Sequence, residues 1–199
     1  MPVTSPPLGR RERNKQEKLG RIKAAAAELF AEHGVEDVTT QQIADKADIG
    51  TGTLFLYAKS KGELLLLVQN AHYAEALQRG RADAGAIEDP LDAVMAIVRP
   101  IVECNRTQID NGRFYLREMV FGDPTEPHHN EALTIVAQTE EAIAAILGRN
   151  TMAAADAATK ARIVSAIMFV AMAASVNAGL DVNTIVQEIR TQITLLIPR

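Results

Sequence analysis

At 199 residues, 47% apolar and 23% charged, the chain is long enough to bury a sizeable core in one domain, or in a small module joined to a larger one. Its single cysteine, Cys104, excludes an internal disulfide and any cysteine-built zinc site, and no stretch reaches the roughly 18 uninterrupted apolar residues of a membrane span. The net charge of −4 conceals a division: residues 1–23 carry seven Lys/Arg against Glu12 and Glu17, whereas residues 62–199 carry eleven against seventeen acidic ones, which fits either a polyanion met at one end only or a solvated helix start.

The opening MPVTSPPLGRRERNK has basic residues with no apolar core behind them, so it does not read as a secretory signal and a cytoplasmic location is expected. Its first fourteen residues lack apolar content and are expected to be disordered. Leu19, Ile22, Ala26, Leu29 and Phe30 then fall on one face of a first helix, which stops at Gly34. Thr39 can cap a short second helix, with Gln42 completing a capping box and Ile43, Ala44 and Ala47 as its buried stripe. Asp48, Ile49 and Gly50 make a turn, and a third short helix is expected from about Thr51 to Ala58. Ser60 and Glu63 supply a second capping box for a long fourth helix through Leu64, Leu65, Val68 and Ala71. Two short helices joined by a glycine-containing turn are the helix-turn-helix arrangement.

Longer helices follow. Asp89 and Pro90 read as N-cap and first helical residue of a helix carrying Val94, Ile97, Val98, Ile101 and Val102, with a kink expected at Pro100. A break is expected near Asn111-Gly112, then a shorter segment from Phe114 to Phe121 ending at Gly122. A loop holding Pro124, Pro127, His128 and His129 precedes a helix bearing Leu133, Val136, Ile143, Ile146 and Leu147. An alanine-rich helix from Asp156 to Ala178 shows Ile163, Ile167, Val170 and Ala174 on one face. Asp181 caps a last helix bearing Ile185, Ile189, Ile193 and Leu196. The chain therefore reads as all-α, with about nine helices, no sheet and no repeat of fixed period.

Residues 19–67, above all "VTTQQIADKADIGTGTLFLYAKSKGELL", resemble the DNA-binding head of the tetracycline-repressor (TetR) family of bacterial regulators. The likeness rests on the capped Thr39, Ile43-Ala44, Gly52-Thr53-Leu54-Phe55, Tyr57, and Ser60-Lys61 before Glu63-Leu64. Phe55 and Ala58 depart from it, standing where the family often has tyrosine and phenylalanine. The resemblance implies an N-terminal three-helix DNA-binding head over residues 1–62, a larger helical ligand-binding and dimerisation domain over 63–199, and no enzymatic activity or cofactor.

In such a head the second short helix enters the major groove, so it must be thin at the DNA face and braced behind. Gly52 lets the backbone approach, while Thr51 and Thr53 reach phosphates or base edges. Tyr57 is expected to donate to a phosphate oxygen, and Lys61 adds charge in the first turn of the fourth helix. Thr39, Thr40 and Gln41 are further candidates for contact, with capping alone an equal reading of Thr39. Arg10, Arg11 and Arg13 form a basic arm that can follow the backbone or enter the minor groove. Lys59 reads as a solvated side chain.

The resemblance also implies a small-molecule effector among the middle helices, and Arg106, Phe114, Tyr115, Arg117, Phe121, Met168, Met172 and Asn177 offer the mix of apolar surface and few polar groups that a pocket needs. Ile163, Ile167, Val170 and Ala174, with Ile185, Ile189, Ile193 and Leu196, are candidates for a four-helix dimer interface, so that a homodimer reads a palindromic operator in double-stranded DNA. Cys104 reads as buried filler. His128 and His129, adjacent in a loop after Pro127, do not read as a metal site. A repressor released by its ligand is the reading preferred here; an activator of the same architecture, a helical small-molecule-binding enzyme, and an interaction module without DNA binding are the alternatives.

Overall fold

A computed structural model describes residues 9–149 and 152–197. Among these residues there are nine α-helices, one short 3-10 turn and no strand: α1 (Arg10–His33), α2 (Thr40–Lys46), α3 (Thr51–Leu54), α4 (Lys61–Ala84), α5 (Pro90–Arg106), α6 (Ile109–Phe121), α7 (Pro127–Leu147), α8 (Ala154–Ala173) and α9 (Val182–Thr194), with the turn Ser175–Asn177 before α9. The expected caps are present at Thr39, Ser60, Asp89 and Asp181, each accepting from a backbone N–H three residues on. Gly34 takes φ +78° and its N–H bonds to the Phe30 carbonyl, the left-handed ending that glycine adopts without strain.

The head packs Ile22, Ala26, Leu29 and Phe30 of α1 against Ile43, Ala44 and Leu54, while α4 begins the body and buries Leu64 to Leu67. Around α4, helix α5 crosses closely, α6 and α7 pack alongside, and α8 and α9 close the far side. The α4–α5 crossing turns on Gly80. A Cβ at that position would lie 2.8 Å from the Ala96 carbonyl oxygen and 2.9 Å from the Ile97 Cα. Ala96 is also the carbonyl that Pro100, four residues on, cannot bond, because proline has no N–H. Helix α5 nevertheless runs through Pro100 to Arg106.

Several sequence expectations give way here. Residues 10–14 are helical, since the Gly9 carbonyl accepts from Glu12 and Arg13 and starts α1; residues 1–8 lie outside the described residues. Helix α3 closes at Leu54, and residues 55–58 continue as tight turns, with Leu56 N donating to Thr53 O and Tyr57 N to Leu54 O. Asn111-Gly112 is the buried first turn of α6 rather than a break. The Asn111 amide donates to Phe30 O and accepts from Val35 N, both at 2.8 Å, and Gly112 is seated so closely that a Cβ would lie 2.1 Å from the Asn105 carbonyl. A turn-like dipeptide thus serves as a docking point for the end of α1. Pro127, His128 and His129 open α7 instead of lying in a loop. Helix α8 ends at Ala173, where Ala174 becomes extended and the Asn177 side chain donates to the Ala171 carbonyl.

Asn111→Ala should lower stability by about 1–3 kcal/mol, because it leaves the buried Val35 N–H without a partner and removes one of the two donors to the Phe30 carbonyl; denaturant unfolding monitored by circular dichroism measures it. Gly80→Ala should cost about 1–3 kcal/mol, because the added methyl meets backbone that cannot rotate away; a loss below a few tenths in the same unfolding experiment would contradict the crossing described.

Candidate functional site

The outer face of the head is made by α2, α3 and the turn between them. Asp48 holds φ +52° in that turn, a left-handed conformation that aspartate tolerates, and Arg21 of α1 donates to its carbonyl and pairs with its carboxylate, both at 3.3 Å. Leu54 and Ile43 point inward and are fully buried, which braces α3 from behind. Gly52 is exposed, and a Cβ there would meet nothing within 4 Å; Thr51, Thr53 and Tyr57 are half-buried, so none of them lies beneath the rest of the molecule.

The polar groups on this face differ in how firmly they are held. Thr39 accepts from Gln42 N and donates to Gln42 Oε1 at 2.9 Å, so its hydroxyl is engaged as a cap. The Gln41 amide is closed between Asp45 and the Thr51 hydroxyl, at 2.7 and 2.6 Å. Thr40 is half-buried at the start of α2. Tyr57 donates only a long bond, 3.4 Å, to the Lys15 carbonyl, and Lys61 donates to the Glu36 carbonyl at 2.8 Å with two of its ammonium protons in reserve. Arg10, Arg11 and Arg13 are exposed on the first turns of α1, so the basic arm is helical from Arg10 onward.

Polar contacts join this face to the body. Lys59, read from the sequence as a solvated side chain, pairs with the buried Glu126 at the start of α7 at 2.5 Å, and that bond raises the Lys59 pKa. The His128 ring nitrogen Nε2 lies 3.0 Å from the Tyr57 carbonyl, while its backbone N–H donates to Glu63. The Glu63 carboxyl therefore faces α7 instead of closing the second half of its capping box, and burial raises its pKa. Asn70 donates to the His128 carbonyl at 2.9 Å and accepts from the Tyr115 hydroxyl at 2.9 Å. Tyr115 stacks on Tyr73, with ring centroids 4.2 Å apart, and Tyr73 accepts from Asn105.

These two tyrosines form one wall of a cavity of about 60 Å³ between α4, α5, α6, α7 and α8. Ile101, Leu116, Met119, Ala132, Ile135, Val136, Thr139, Ser165, Met168, Phe169 and Met172 complete it, and no charged side chain lines it. Of the residues expected to hold a ligand, Tyr115, Met168 and Met172 are in this wall. The others are elsewhere. Arg106 donates to the carbonyls of Asn177, Ala178 and Leu180, and with Asn177 it forms a joint between α5 and the α8–α9 connection; burial, then Arg113, lowers its pKa. Arg117 lies over the Phe114 ring at 4.1 Å and faces Glu36 of the head, and Phe121 is exposed. Sequence reading missed Tyr73, Met119 and the α7 residues because helical periodicity marks what is buried, not which buried surfaces stand slightly apart.

The dimer candidates divide in the same way. Ile163 and Val170 are 40% and 62% exposed on α8, with Ile167, Ala174 and Leu196 half-buried. Ile185, Ile189 and Ile193 are fully buried in the chain's own core, where α9 packs on α5 and α8, so they offer nothing to a second copy. Cys104 is half-buried in α5, and burial pushes its thiol up to about 11, well away from a reactive thiolate. Among the described residues no three His, Cys, Asp or Glu side chains gather as a metal site would require, and no helix is long and apolar enough to cross a membrane.

The family described as "Bacterial regulatory proteins, tetR family" matches residues 22–68, the stretch from the middle of α1 into α4. No curated protein matches the chain. Among solved structures, a TetR transcriptional regulator from Rhodococcus sp. RHA1 is similar with a TM-score of 0.72 at 18% identity, covering 92% of this chain and 97% of that one. Thermus thermophilus FadR, a TetR-family transcriptional repressor in complex with lauroyl-CoA, is similar with a TM-score of 0.69 at 22% identity, covering 89% and 93%. PfmR, a TetR-family regulator also from Thermus thermophilus, has a TM-score of 0.61 at 20% identity, covering 89% and 97%. At such identities the likeness to these structures is one of fold, extended over nearly the whole of each chain. The helix-turn-helix at the front of the chain thus matches the model of the tetR family of bacterial regulatory proteins, and the chain as a whole shares the fold of regulators of that family.

Proposed function

We propose that the chain is a ligand-responsive repressor, which occupies a palindromic operator as a homodimer and leaves it when a small molecule enters the cavity between α4 and α8. The observation that carries this reading is the unbroken polar path from Tyr115 in the cavity wall through Asn70 and His128 to the Tyr57 carbonyl at the end of the recognition segment. The cavity of about 60 Å³ is far below the roughly 300–1,000 Å³ of a ligand pocket, so an incoming molecule has to push its walls apart. Met119, Met168 and Met172 are unbranched and yield readily, whereas the stacked Tyr73 and Tyr115 are rigid plates on α4 and α6. Displacement of those plates pulls on the helices that hold the head.

Two heads of a dimer must stand about one DNA turn apart, ~34–36 Å, so a modest rotation of each prevents both from engaging at once. The exposed apolar edge of α8, with Ile163 and Val170, is the surface available to a second copy. T. thermophilus FadR, of the same fold, is a repressor crystallised with lauroyl-CoA, which supports a repressing role and a ligand that carries an apolar chain. A repressor acting on DNA works in the cytoplasm.

The reading is tested by selecting bound duplexes from random DNA and then screening compounds that release them. With the selected operator, Tyr57→Phe combined with Lys61→Ala should weaken binding to all sequences alike and flatten its salt dependence, since both side chains serve phosphates. Thr53→Ala should instead alter preference at particular base pairs. Unchanged affinity of the double variant across a salt titration would overturn the phosphate assignment. Ala132→Leu, which fills the cavity, should leave operator affinity within about twofold while abolishing release by an effector that the native chain answers to; DNA binding with and without that compound measures both.

A further inference from the structure

We infer that Leu56, assisted by Phe55, reads thymine by its C5-methyl group, so that the operator carries thymine opposite the end of α3 in each half-site. The inference rests on the reading of the head as a duplex DNA binder and adds how it distinguishes bases.

Leu56 is 83% exposed and Phe55 43% exposed, the only two large apolar side chains among the described residues of the head that stand so far into solvent. They stand in the turns that directly follow α3, three and four residues after Gly52, and all three residues are exposed. Leu56 in such a position gains little within the chain, where Leu54 and Ile43 already fill the space behind α3. From Gly50 to Ala58 the segment reads GTGTLFLYA and holds no arginine, lysine, asparagine or glutamine. Those are the side chains that recognise guanine or adenine by paired hydrogen bonds in the major groove. The nearest amides are engaged elsewhere: Gln41 with Asp45 and Thr51, and Gln42 with Thr39. Lys46 pairs with Glu28 at 2.6 Å. A recognition segment without such groups still distinguishes base pairs if apolar side chains meet the one apolar feature of the groove floor, the thymine methyl. Gly52, with open space beside it, lets the turn sink far enough for Leu56 to reach that floor.

The test uses the full chain and its selected operator. Each thymine in one half-site is replaced in turn by deoxyuridine, which removes the methyl and leaves every hydrogen-bonding group in place. The native chain should lose about three- to fivefold in affinity at one or two positions, the effect expected of a single buried methyl. Leu56→Ala should bind the unmodified operator less tightly and show less than about 1.5-fold sensitivity at those same positions, while Leu56→Met, which keeps an apolar tip, should restore it. Leu56 is exposed, so both variants should melt within a degree or two of the native chain. Deoxyuridine effects that are absent, or that persist unchanged in Leu56→Ala, would overturn the inference while leaving operator binding intact. Failure to select any operator would instead sink the regulator reading and this inference with it.

Discussion

The buried amide of Asn111 fixes how the head meets the body. It accepts from the N–H of Val35 and gives the Phe30 carbonyl at the end of α1 a second donor beside Gly34, while Gln108 donates to the Ala31 carbonyl one residue further along. The end of a helix leaves carbonyls without partners, and here α6 supplies them. The recognition segment is presented in one orientation because α2, on which α3 packs, rests on α1, and α1 is held at its C-terminal end by the helix that also carries Tyr115.

That arrangement explains what was legible in the sequence. The caps at Thr39, Ser60, Asp89 and Asp181 are local chemistry, in which one side chain answers a backbone N–H three residues away, and sequence alone carries that information. The helix-turn-helix was equally readable, because its glycine, hydroxyl and apolar positions serve a short-range geometry. Contacts that span the chain left no such mark. Asn111-Gly112 carries the usual signal of a turn, and only the approach of α1 and the Asn105 carbonyl makes it the start of a helix. Ile185, Ile189 and Ile193 have the spacing of an apolar face, which cannot say whether a neighbouring helix or a second copy covers it; α5 and α8 do. Lys59 looks like any surface lysine until Glu126, from the start of α7, arrives beside it.

The head and the body use polar groups differently. On the outer face, Tyr57 is held by a long bond and Lys61 by one of its three protons, so both are easily re-aimed. At the junction the polar groups are nearly all satisfied within the chain, and Glu63, Asn70, Asn105 and Asn111 are buried. A buried group with its partner in place transmits displacement, because moving either member alone leaves an unsatisfied dipole in a low-dielectric surrounding. A loosely held surface group transmits nothing but adapts to what it touches. Both properties suit the proposed ligand-responsive regulator, whose surface would fit one polyanion and whose interior would report to it.

The cavity beside the tyrosine pair has thioether walls and no charge. The three methionines bend to the outline of whatever comes in, the stacked tyrosines do not, and the wall refuses what carries ionic groups too costly to strip of water. A molecule entering there would be judged by how readily it leaves water for oil, and compounds of different shape but similar partitioning would be nearly interchangeable to it. A gene under such control would answer to a chemical class, graded by lipophilicity, rather than to one metabolite.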